Sequence, residues 1–220
     1  TNNTEELAKA DVIILPGSKS TLDDLLELRR NGVAQAIVRA HREGTTVLGI
    51  CGGYQMLGME VCDPDGVEGE VERLPGLGLL PVATRMTGEK TTRQVRFVTN
   101  GLEDTSLNQA DEDYSCEGYE IHMGVTEPVE GASGHPLNRL ADGRMDGFKV
   151  NATCMGTYIH GILDNPSFID ILLEPFVDKL SGAGNFDYKN FKEEQYDKLA
   201  DHVRSHVDMS LIYKILTAHD

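Results

Sequence analysis

The segment "VLGICGGYQMLG", residues 47–58, places a single cysteine between an apolar run and two glycines. The apolar run favours a β-strand, and the residues after the glycines favour a helix. A cysteine at such a corner projects its sulfur from the end of a sheet toward the positive end of a helix, which favours the nucleophilic thiolate. The same type of corner presents the serine of G-x-S-x-G hydrolases. The sequence therefore predicts that Cys51 is a catalytic nucleophile.

A cysteine nucleophile needs a base that removes its proton and later protonates the leaving group, and this base is usually a histidine. The chain contains 7 histidines. His160, in "GTYIHG", lies at the predicted end of a strand beside a glycine, and His122, in "GYEIHMG", lies inside an alternating strand. Spacing alone does not decide between them. Loops at strand ends are where α/β proteins assemble their sites, so the glycine-flanked position favours His160.

The elements before Cys51 alternate between strand and helix. "DVIILPG", residues 11–17, predicts a short strand that ends in a Pro-Gly corner. "TLDDLLELRRNG" predicts a helix with acidic residues in its first turn and arginines in its last, and a second helix over 33–43 leads into the cysteine strand. This alternation is typical of a parallel sheet that is covered by helices.

The chain changes character after Gly58. A turn-rich stretch is followed by segments that predict strands with hairpin-like breaks. These segments are "TRQVRFVTN", "CEGYEIHMGVT", "MDGFKVN" and "TCMGTYIHGIL". From about Pro166 the spacing of apolar residues predicts a mainly helical tail.

Composition excludes several function classes. The 220 residues carry 36 acidic and 20 basic side chains, and the net charge of −16 opposes nonspecific binding to nucleic acid or to anionic lipid. No apolar run approaches the roughly 20 residues of a membrane span, and no signal peptide opens the chain. The 4 cysteines form no CxxC pair, which favours reduced thiols in a cytoplasmic protein. His202 and His206 have i, i+4 spacing, but without neighbouring ligands we predict no metal site.

Five segments together resemble the class I glutamine amidotransferases of the cobalamin-biosynthesis type. They are "DVIILPGSKSTLDDL", "GICGGYQMLG", "GLGLLPV", "GYEIHMG" and "GTYIHGIL". The resemblance runs from about Asp11 to the end of the chain. It implies an α/β fold of the flavodoxin-like type, with a mixed, largely parallel sheet flanked by helices and a helical C-terminal tail.

The resemblance also implies roles for individual residues. Cys51 matches the nucleophile that forms a γ-glutamyl thioester, and His160 matches its base. The oxyanion hole would use the backbone N–H of Gly52 together with that of Gly17 or Ser18, and glycine-rich corners do allow such N–H groups to point at a developing charge. Most class I members carry a Glu two positions after the histidine, but this chain has Ile162 there. The cobalamin-type branch typically lacks that Glu, so the resemblance leaves open what orients His160.

The family couples a glutaminase to an ATP-dependent domain that amidates carboxylates on a corrin ring. The resemblance therefore implies glutamine as substrate, an N-terminal ATP-binding synthetase domain as partner and a corrinoid at the domain interface. It implies no cofactor in residues 1–220, with ATP and Mg²⁺ expected on the synthetase domain. The opening "TNNTEELAKA" lacks an initiator Met, and only one βα unit precedes the cysteine strand. We therefore expect a glutaminase domain that lacks its first βα unit and was cut from a longer chain.

Two other function classes remain open. The chain could be a module that keeps the fold and binds a corrinoid or a partner without chemistry, or a free-standing Cys-His hydrolase that acts on γ-glutamyl bonds or peptides. Labelling by a glutamine-like electrophile would separate an amidotransferase from a binding module. The hydrolase hypothesis predicts turnover of substrates that are bulkier than glutamine, and no feature of the sequence favours it.

Overall fold

The computed structural model describes residues 1–100, 116–176 and 188–217. The chain divides into two compact units, Thr1–Phe176 and Val177–Asp220. The helices are α1 (Thr4–Leu7), α2 (Thr21–Arg30), α3 (Val33–Arg42), α4 (Gly52–Leu57), α5 (Pro166–Leu173), α6 (Tyr188–His206) and α7 (Met209–Thr217). The strands are β1 (Val12–Leu15), β2 (Thr46–Ile50), β3 (Glu60–Cys62), β4 (Arg73–Pro75), β5 (Val82–Thr99), β6 (Cys116–Pro128), β7 (Asn138–Leu140), β8 (Met145–Asp146), β9 (Phe148–Asn151), β10 (Cys154–Thr157) and β11 (Ile159–His160).

The first sheet is the α/β part of the fold. Its strand order is β1-β2-β10-β9, with β1 and β10 both parallel to β2 and with β9 antiparallel to β10. Helices α2 and α3 connect β1 to β2, as the alternation of strand and helix predicts. The predicted fold class, a mixed sheet flanked by helices with a helical C-terminal tail, is confirmed in the described residues. The absence of a first βα unit stays a prediction.

A second sheet follows the cysteine corner. Its main strand order is β11-β6-β5-β3-β4, and β7 and β8 extend it from β5. Strands β5 and β6 form a long antiparallel pair whose register shifts between Met86 and Thr91. The sequence predicts a strand only in the second half of β5, whereas the structure extends it over Val82–Thr99. This sheet carries both candidate histidines, one on β6 and the other on β11.

One predicted strand is divided in the structure. The segment "TCMGTYIHGIL" forms β10 in the first sheet and β11 in the second, with the break at Tyr158. The backbone N–H of Tyr158 donates to the buried carboxylate of Asp146 at 2.9 Å. Because that N–H is bonded to a side chain, it does not continue a strand ladder, and the chain passes from one sheet to the other.

The two faces of the first sheet are buried by different parts of the chain. Val47 belongs to a core cluster that includes apolar residues of α2, α3 and α4, and Leu48 belongs to a cluster that includes Phe97, Ile159 and Phe168. Neighbouring residues on a strand point to opposite faces, so β2 is covered on both sides. Val47 and Leu48 are fully buried, and this sheet therefore fixes the position of the residue that follows its central strand.

Helices α2 and α3 begin and end close to where the sequence predicts. Asp23 and Asp24 lie in the first turn of α2, and Arg29 and Arg30 lie in its last, which suits the helix dipole. Gly32 follows with a φ of 82°, a left-handed conformation that glycine adopts without steric strain.

The second unit, in the part that the structure describes, consists of α6 and α7. Helix α6 has 19 residues, and α7 has 9. The predicted helical tail is confirmed there. None of the described helices is both long and apolar enough to cross a membrane.

Candidate active site

Cys51 occupies a sharp corner between β2 and α4. Its φ is 53° and its ψ is −113°. Among the described residues, it is the only non-glycine residue with a positive φ. Its backbone N–H donates to the carbonyl of Thr157 on β10 at 2.8 Å, which ties the corner to the neighbouring strand. A non-glycine residue in such a conformation costs about 1–3 kcal/mol, and such strain clusters at functional sites. The strand-to-helix corner that the sequence predicts is present.

The two glycines after Cys51 allow a close approach by the chain around β1. A Cβ on Gly53 would overlap the backbone carbonyl of Leu15, at the end of β1. A Cβ on Gly52 would lie 2.8 Å from the backbone nitrogen of Ser18. Glycine is therefore required at both positions for the Pro-Gly loop to pack against the start of α4.

Gly17 lies close to both candidate catalytic side chains. A Cβ on Gly17 would lie 3.1 Å from Cε1 of His160 and 3.9 Å from Sγ of Cys51. The imidazole and the thiol are thus both within 4 Å of one point. The Gly17–Ser18 loop also lies close to Gly52, so the structure brings together all five residues for which the sequence predicts catalytic or oxyanion roles.

The thiol of Cys51 is neutral in this environment. Burial raises its pKa, the backbone N–H of Gly52 counteracts part of that effect, and the carboxylate of Glu68 raises the pKa further. Sγ donates a hydrogen bond to the carbonyl of Ile121 at 3.4 Å. The sequence predicts that the helix end favours a thiolate, but desolvation is the larger effect. Ionisation of Cys51 therefore depends on a base.

His160 provides a neutral imidazole. Burial lowers its pKa, the carbonyl of Ile121 acts in the opposite direction, and nearby His122 lowers the pKa further. The ring is stacked on Tyr119, with centroids 5.1 Å apart and planes at 7°. Its Nε2 is buried and has no hydrogen-bond partner among the described residues. A neutral imidazole with a free ring nitrogen can accept a proton.

His122 lies in the same region, but other groups hold it. Its ring is stacked on Tyr158 at a centroid distance of 3.8 Å, and Nδ1 donates to the carbonyl of Gly124 at 2.9 Å. Its Nε2 lies 3.9 Å from a carboxylate oxygen of Glu120. His122 therefore lies near the site, whereas His160 lies next to Gly17 together with the cysteine.

Glu120 is the centre of a charged group beside His122. It forms ion pairs with Arg93 at 2.7 Å and with Arg144 at 3.2 Å, although its own side chain is only 4% exposed. Burial alone would raise the pKa of Glu120. Nearby His122, the hydrogen bond from Arg144 and the charges of the two arginines outweigh burial and lower that pKa to about 2.

Residues 1–168 match the CobB/CobQ-like glutamine amidotransferase domain. The chain belongs to this family. Curated relatives over nearly the whole chain carry the name cobyric acid synthase. The protein from Bacteroides fragilis is 71% identical over 100% of this chain, and the one from Parabacteroides distasonis is 53% identical over 97% of it. This chain spans only 42% and 41% of their respective lengths.

Solved structures support the fold of this amidotransferase domain. One titled as a glutamine amidotransferase has a TM-score of 0.54 at 20% identity, covering 79% of this chain and 83% of that chain. PurLQS from Thermotoga maritima has a TM-score of 0.50 at 17% identity, covering 77% of this chain and 80% of that chain. The flavodoxin-like amidotransferase fold that the resemblance implies is confirmed.

Two polar residues of the amidotransferase domain approach the nucleophile without having been predicted. Gln55, four positions after Cys51 on α4, is 2% exposed and accepts a hydrogen bond from Thr21 Oγ1 at 2.9 Å. Its spacing from the cysteine along a helix is a signal that sequence reasoning could have used. Glu68 accepts from the backbone N–H of Thr21 at 2.6 Å. It lies in the turn-rich stretch, where no periodic pattern indicates which side chains point inward.

Asp146 is a third unpredicted residue, and it holds the chain that leads to His160. It accepts hydrogen bonds from the Asn138 side chain at 2.8 Å, from the Thr157 hydroxyl and from the Tyr158 N–H. Burial raises the pKa of Asp146, and these three hydrogen bonds oppose the increase. The carboxylate therefore fixes the backbone immediately before β11.

No metal-ligating cluster of three or more His, Cys, Asp or Glu side chains occurs among the residues that the structure describes. His202 and His206 stack on each other on exposed α6, with ring centroids 4.2 Å apart.

Proposed function

We propose that this domain hydrolyses glutamine through Cys51 and His160. The observation that carries the proposal is that the thiol of Cys51 and the imidazole of His160 both lie within 4 Å of the position of a Cβ on Gly17. Two further properties support it. The cysteine has the strained backbone of a nucleophile corner, and the histidine has a lowered pKa, which suits a base that must accept a proton at neutral pH.

In the first step, His160 takes the thiol proton of Cys51, and the sulfur attacks the amide carbon of glutamine. The carbonyl oxygen becomes an oxyanion, which the N–H of Gly52 and the N–H of Gly17 or Ser18 would stabilise. The tetrahedral intermediate then collapses as the imidazolium gives its proton to the leaving nitrogen. Ammonia departs, and a γ-glutamyl thioester remains on Cys51.

In the second step, water hydrolyses the thioester. His160 removes a proton from the water as it attacks, and it returns a proton to the sulfur when the intermediate collapses. Glutamate is released, and the thiol and the neutral imidazole are restored. The same two side chains therefore serve both halves of the reaction, and the net reaction is glutamine plus water to glutamate plus ammonia.

We further propose that the ammonia is supplied to an ATP-dependent synthetase domain. The relatives named cobyric acid synthase are more than twice as long as this chain, which leaves room for such a domain in them. By that likeness, the longer protein would amidate corrin-ring carboxylates of adenosylcobyrinic acid a,c-diamide, with ATP and Mg²⁺ bound on the synthetase part. The sister enzyme that makes the a,c-diamide of cobyrinic acid is the alternative within the family, and the relatives' names favour cobyric acid synthase.

Covalent labelling tests the nucleophile. We expect 6-diazo-5-oxo-L-norleucine, a glutamine mimic with an electrophilic carbon, to alkylate Cys51 and glutamine to protect against this reaction. Peptide mass spectrometry would locate the adduct. Cys51→Ser should abolish labelling, whereas Cys62→Ser, at a more exposed cysteine, should leave it unchanged. Labelling that is distributed equally over the cysteines, or a folded protein in which Cys51 stays unlabelled, would contradict the proposal.

A further inference from the structure

The imidazole of His160 and the ring of Tyr119 lie against each other across two neighbouring strands. His160 on β11 pairs with Tyr119 on β6 in antiparallel register. Side chains that are directly opposite in such a pair lie on the same face of the sheet. The ring centroids are 5.1 Å apart, and the ring planes differ by 7°. The pairing of the strands therefore holds one ring stacked on the other.

Gly118 allows this close pairing. A Cβ at this position would overlap Cγ2 of Ile159 and would lie 2.6 Å from the carbonyl oxygen of His160, so a larger residue would push β11 away from β6. Ile159 is fully buried, which leaves its side chain no room to move aside. The dipeptide Gly118-Tyr119 thus supplies both the room for β11 and the ring that stacks on its histidine.

Core packing does not explain why a tyrosine stands at position 119. The residue is 44% exposed. Its hydroxyl forms no hydrogen bond with any residue that the structure describes. The side-chain interaction that the structure does give it is the stack on His160.

The imidazole of His160 has to become charged in both steps of the proposed reaction. Burial lowers the pKa of His160 and His122 lowers it further, whereas the carbonyl of Ile121 raises it. Within the described part of the chain, no carboxylate forms an ion pair with His160. The face of an aromatic ring carries partial negative charge and attracts a cation that lies within about 6 Å of its centroid. Tyr119 meets this condition at 5.1 Å.

The other titratable groups around this imidazole come from three places in the fold. The thiol of Cys51 lies at the corner before α4, and His122 and Glu120 lie on β6. Asp164 lies in the turn after β11. The Gly17–Ser18 loop carries no titratable side chain. All of these groups stay in place when the tyrosine is replaced, so a change in the titration of the imidazole reports on the aromatic ring.

We propose that Tyr119 is a positioning residue for His160. Its ring holds the plane of the imidazole beside Gly17 and the thiol of Cys51. The face of the ring stabilises the imidazolium that forms when the thiol, and later water, gives up a proton. The inference rests on the proposed glutaminase function, and it names a neutral group that orients the histidine where this chain has no carboxylate two positions later.

Tyr119→Phe and Tyr119→Leu separate the ring from the hydroxyl. Phenylalanine keeps the stacked face, whereas leucine keeps apolar bulk without it. We expect Tyr119→Leu to lower kcat for glutamate release by about 3- to 30-fold, the usual range for loss of a cation–π contact. Tyr119→Phe should stay within about twofold of the wild type. The KM for glutamine should change by about twofold or less in both variants, since Tyr119 acts through His160.

The titration of His160, followed by NMR at its Cε1–H signal, tests the stabilisation of charge directly. Loss of a ring that favours the imidazolium lowers the pKa of His160, so the midpoint should lie at lower pH in Tyr119→Leu and should be unchanged in Tyr119→Phe. A general base works only while it is neutral, so the acidic limb of kcat/KM should move in the same direction. A substitution that only loosened the site would expose the imidazole to water and raise its pKa, which is the opposite sign.

Tyr196→Leu makes the same replacement at an exposed tyrosine on α6 and should change neither kcat nor the midpoint. Thermal unfolding checks that each variant is folded, and the signal that disappears in His160→Ala identifies His160. An unchanged or higher midpoint in Tyr119→Leu, or equal losses of kcat in Tyr119→Phe and Tyr119→Leu, would overturn the role of Tyr119. If the midpoints differ as expected but the wild type releases no glutamate, the glutaminase proposal fails, while the effect of the ring on the charge of His160 stands.

Discussion

Gly52→Ala is the substitution that tests the oxyanion hole with the least disturbance elsewhere. The added Cβ would lie 2.8 Å from the backbone nitrogen of Ser18, 3.0 Å from its Cβ and 3.2 Å from the Thr21 hydroxyl. The first distance is too short for an unstrained contact, so the Gly17–Ser18 loop must move. Gly17 is exposed and Ser18 is partly exposed, which lets the loop shift outward.

The expected effect on activity is much larger than the effect on stability. Displacing one oxyanion donor costs about 2.7–4 kcal/mol in the transition state, or about 10²–10³ in kcat. Gly52 lies on α4 and has a negative φ, so alanine offsets part of the strain through its higher helix propensity, by up to about 1 kcal/mol. We therefore expect a folded protein that releases glutamate about 10²–10³ times more slowly at saturating glutamine.

A neighbouring glycine and a second reagent supply the controls. In Gly53→Ala the Cβ would overlap the Leu15 carbonyl on β1, and a strand in the sheet cannot move aside. That variant should lose stability, measured by urea unfolding, by about 1–3 kcal/mol or more. Alkylation of Cys51 by iodoacetamide forms no oxyanion, so Gly52→Ala should slow it far less than it slows glutamate release. Wild-type glutamate release by Gly52→Ala, or an equal slowing of both reactions, would refute the reasoning.

Two further predictions concern the histidines and the charged group beside them. His160→Ala should lower glutamate release by about 10²–10⁴-fold, the usual contribution of a general base, whereas His122→Ala should retain a substantial fraction; the reverse order would exchange their roles. Because the pKa of Glu120 falls from 4.5 to about 2 on folding, its ion pairs stabilise the protein above pH 4.5, and this stability is lost as the pH falls toward 2. Urea unfolding of Glu120→Gln should therefore depend less on pH in this range than that of wild type, while Glu117→Gln, at an exposed position on the same strand, should behave like wild type.

The parts of the fold that follow from local signals could be predicted. The corner at Cys51 depends on an apolar run, two glycines and a short helix that are contiguous in the chain. Helices α2 and α3 have charges and glycines at their ends that match the dipole and the caps. The catalytic roles of Cys51 and His160 and the oxyanion donors stay predictions, although the structure brings these residues together.

The parts that were missed depend on contacts between distant segments. Strands β10 and β11 are separate because Asp146 accepts a hydrogen bond from the backbone N–H of Tyr158, which lies 12 positions further along the chain. Glu68 reaches α2 through a turn that is held by the buried carboxylate of Asp63, and its bond to Thr21 spans 47 positions. Burial raises the pKa of the Cys51 thiol, and the carbonyl of Ile121 on β6 accepts a hydrogen bond from its Sγ; a prediction from the helix end alone could include neither effect.

No carboxylate lies two positions after His160, and the structure shows which groups lie around the imidazole instead. That position is Ile162, which is fully buried in the second core cluster and cannot orient the ring. Tyr119 stacks on the imidazole instead, and the carbonyl of Ile121 lies beside both the imidazole and the thiol. Asp146 accepts a hydrogen bond from the backbone N–H of Tyr158, and it thereby holds the segment that precedes β11.

These neutral contacts determine the resting state of the proposed pair. A carboxylate on His160 would raise its pKa and favour an imidazolium beside a thiolate. A carbonyl orients the ring with a weaker effect on the pKa, so burial prevails and the imidazole remains neutral. The thiol is neutral as well, because burial and Glu68 both oppose its ionisation. Proton transfer from Cys51 to His160 would then create two charges in a buried site, and burial opposes both of them. We therefore expect the nucleophile to be protonated in the site without substrate.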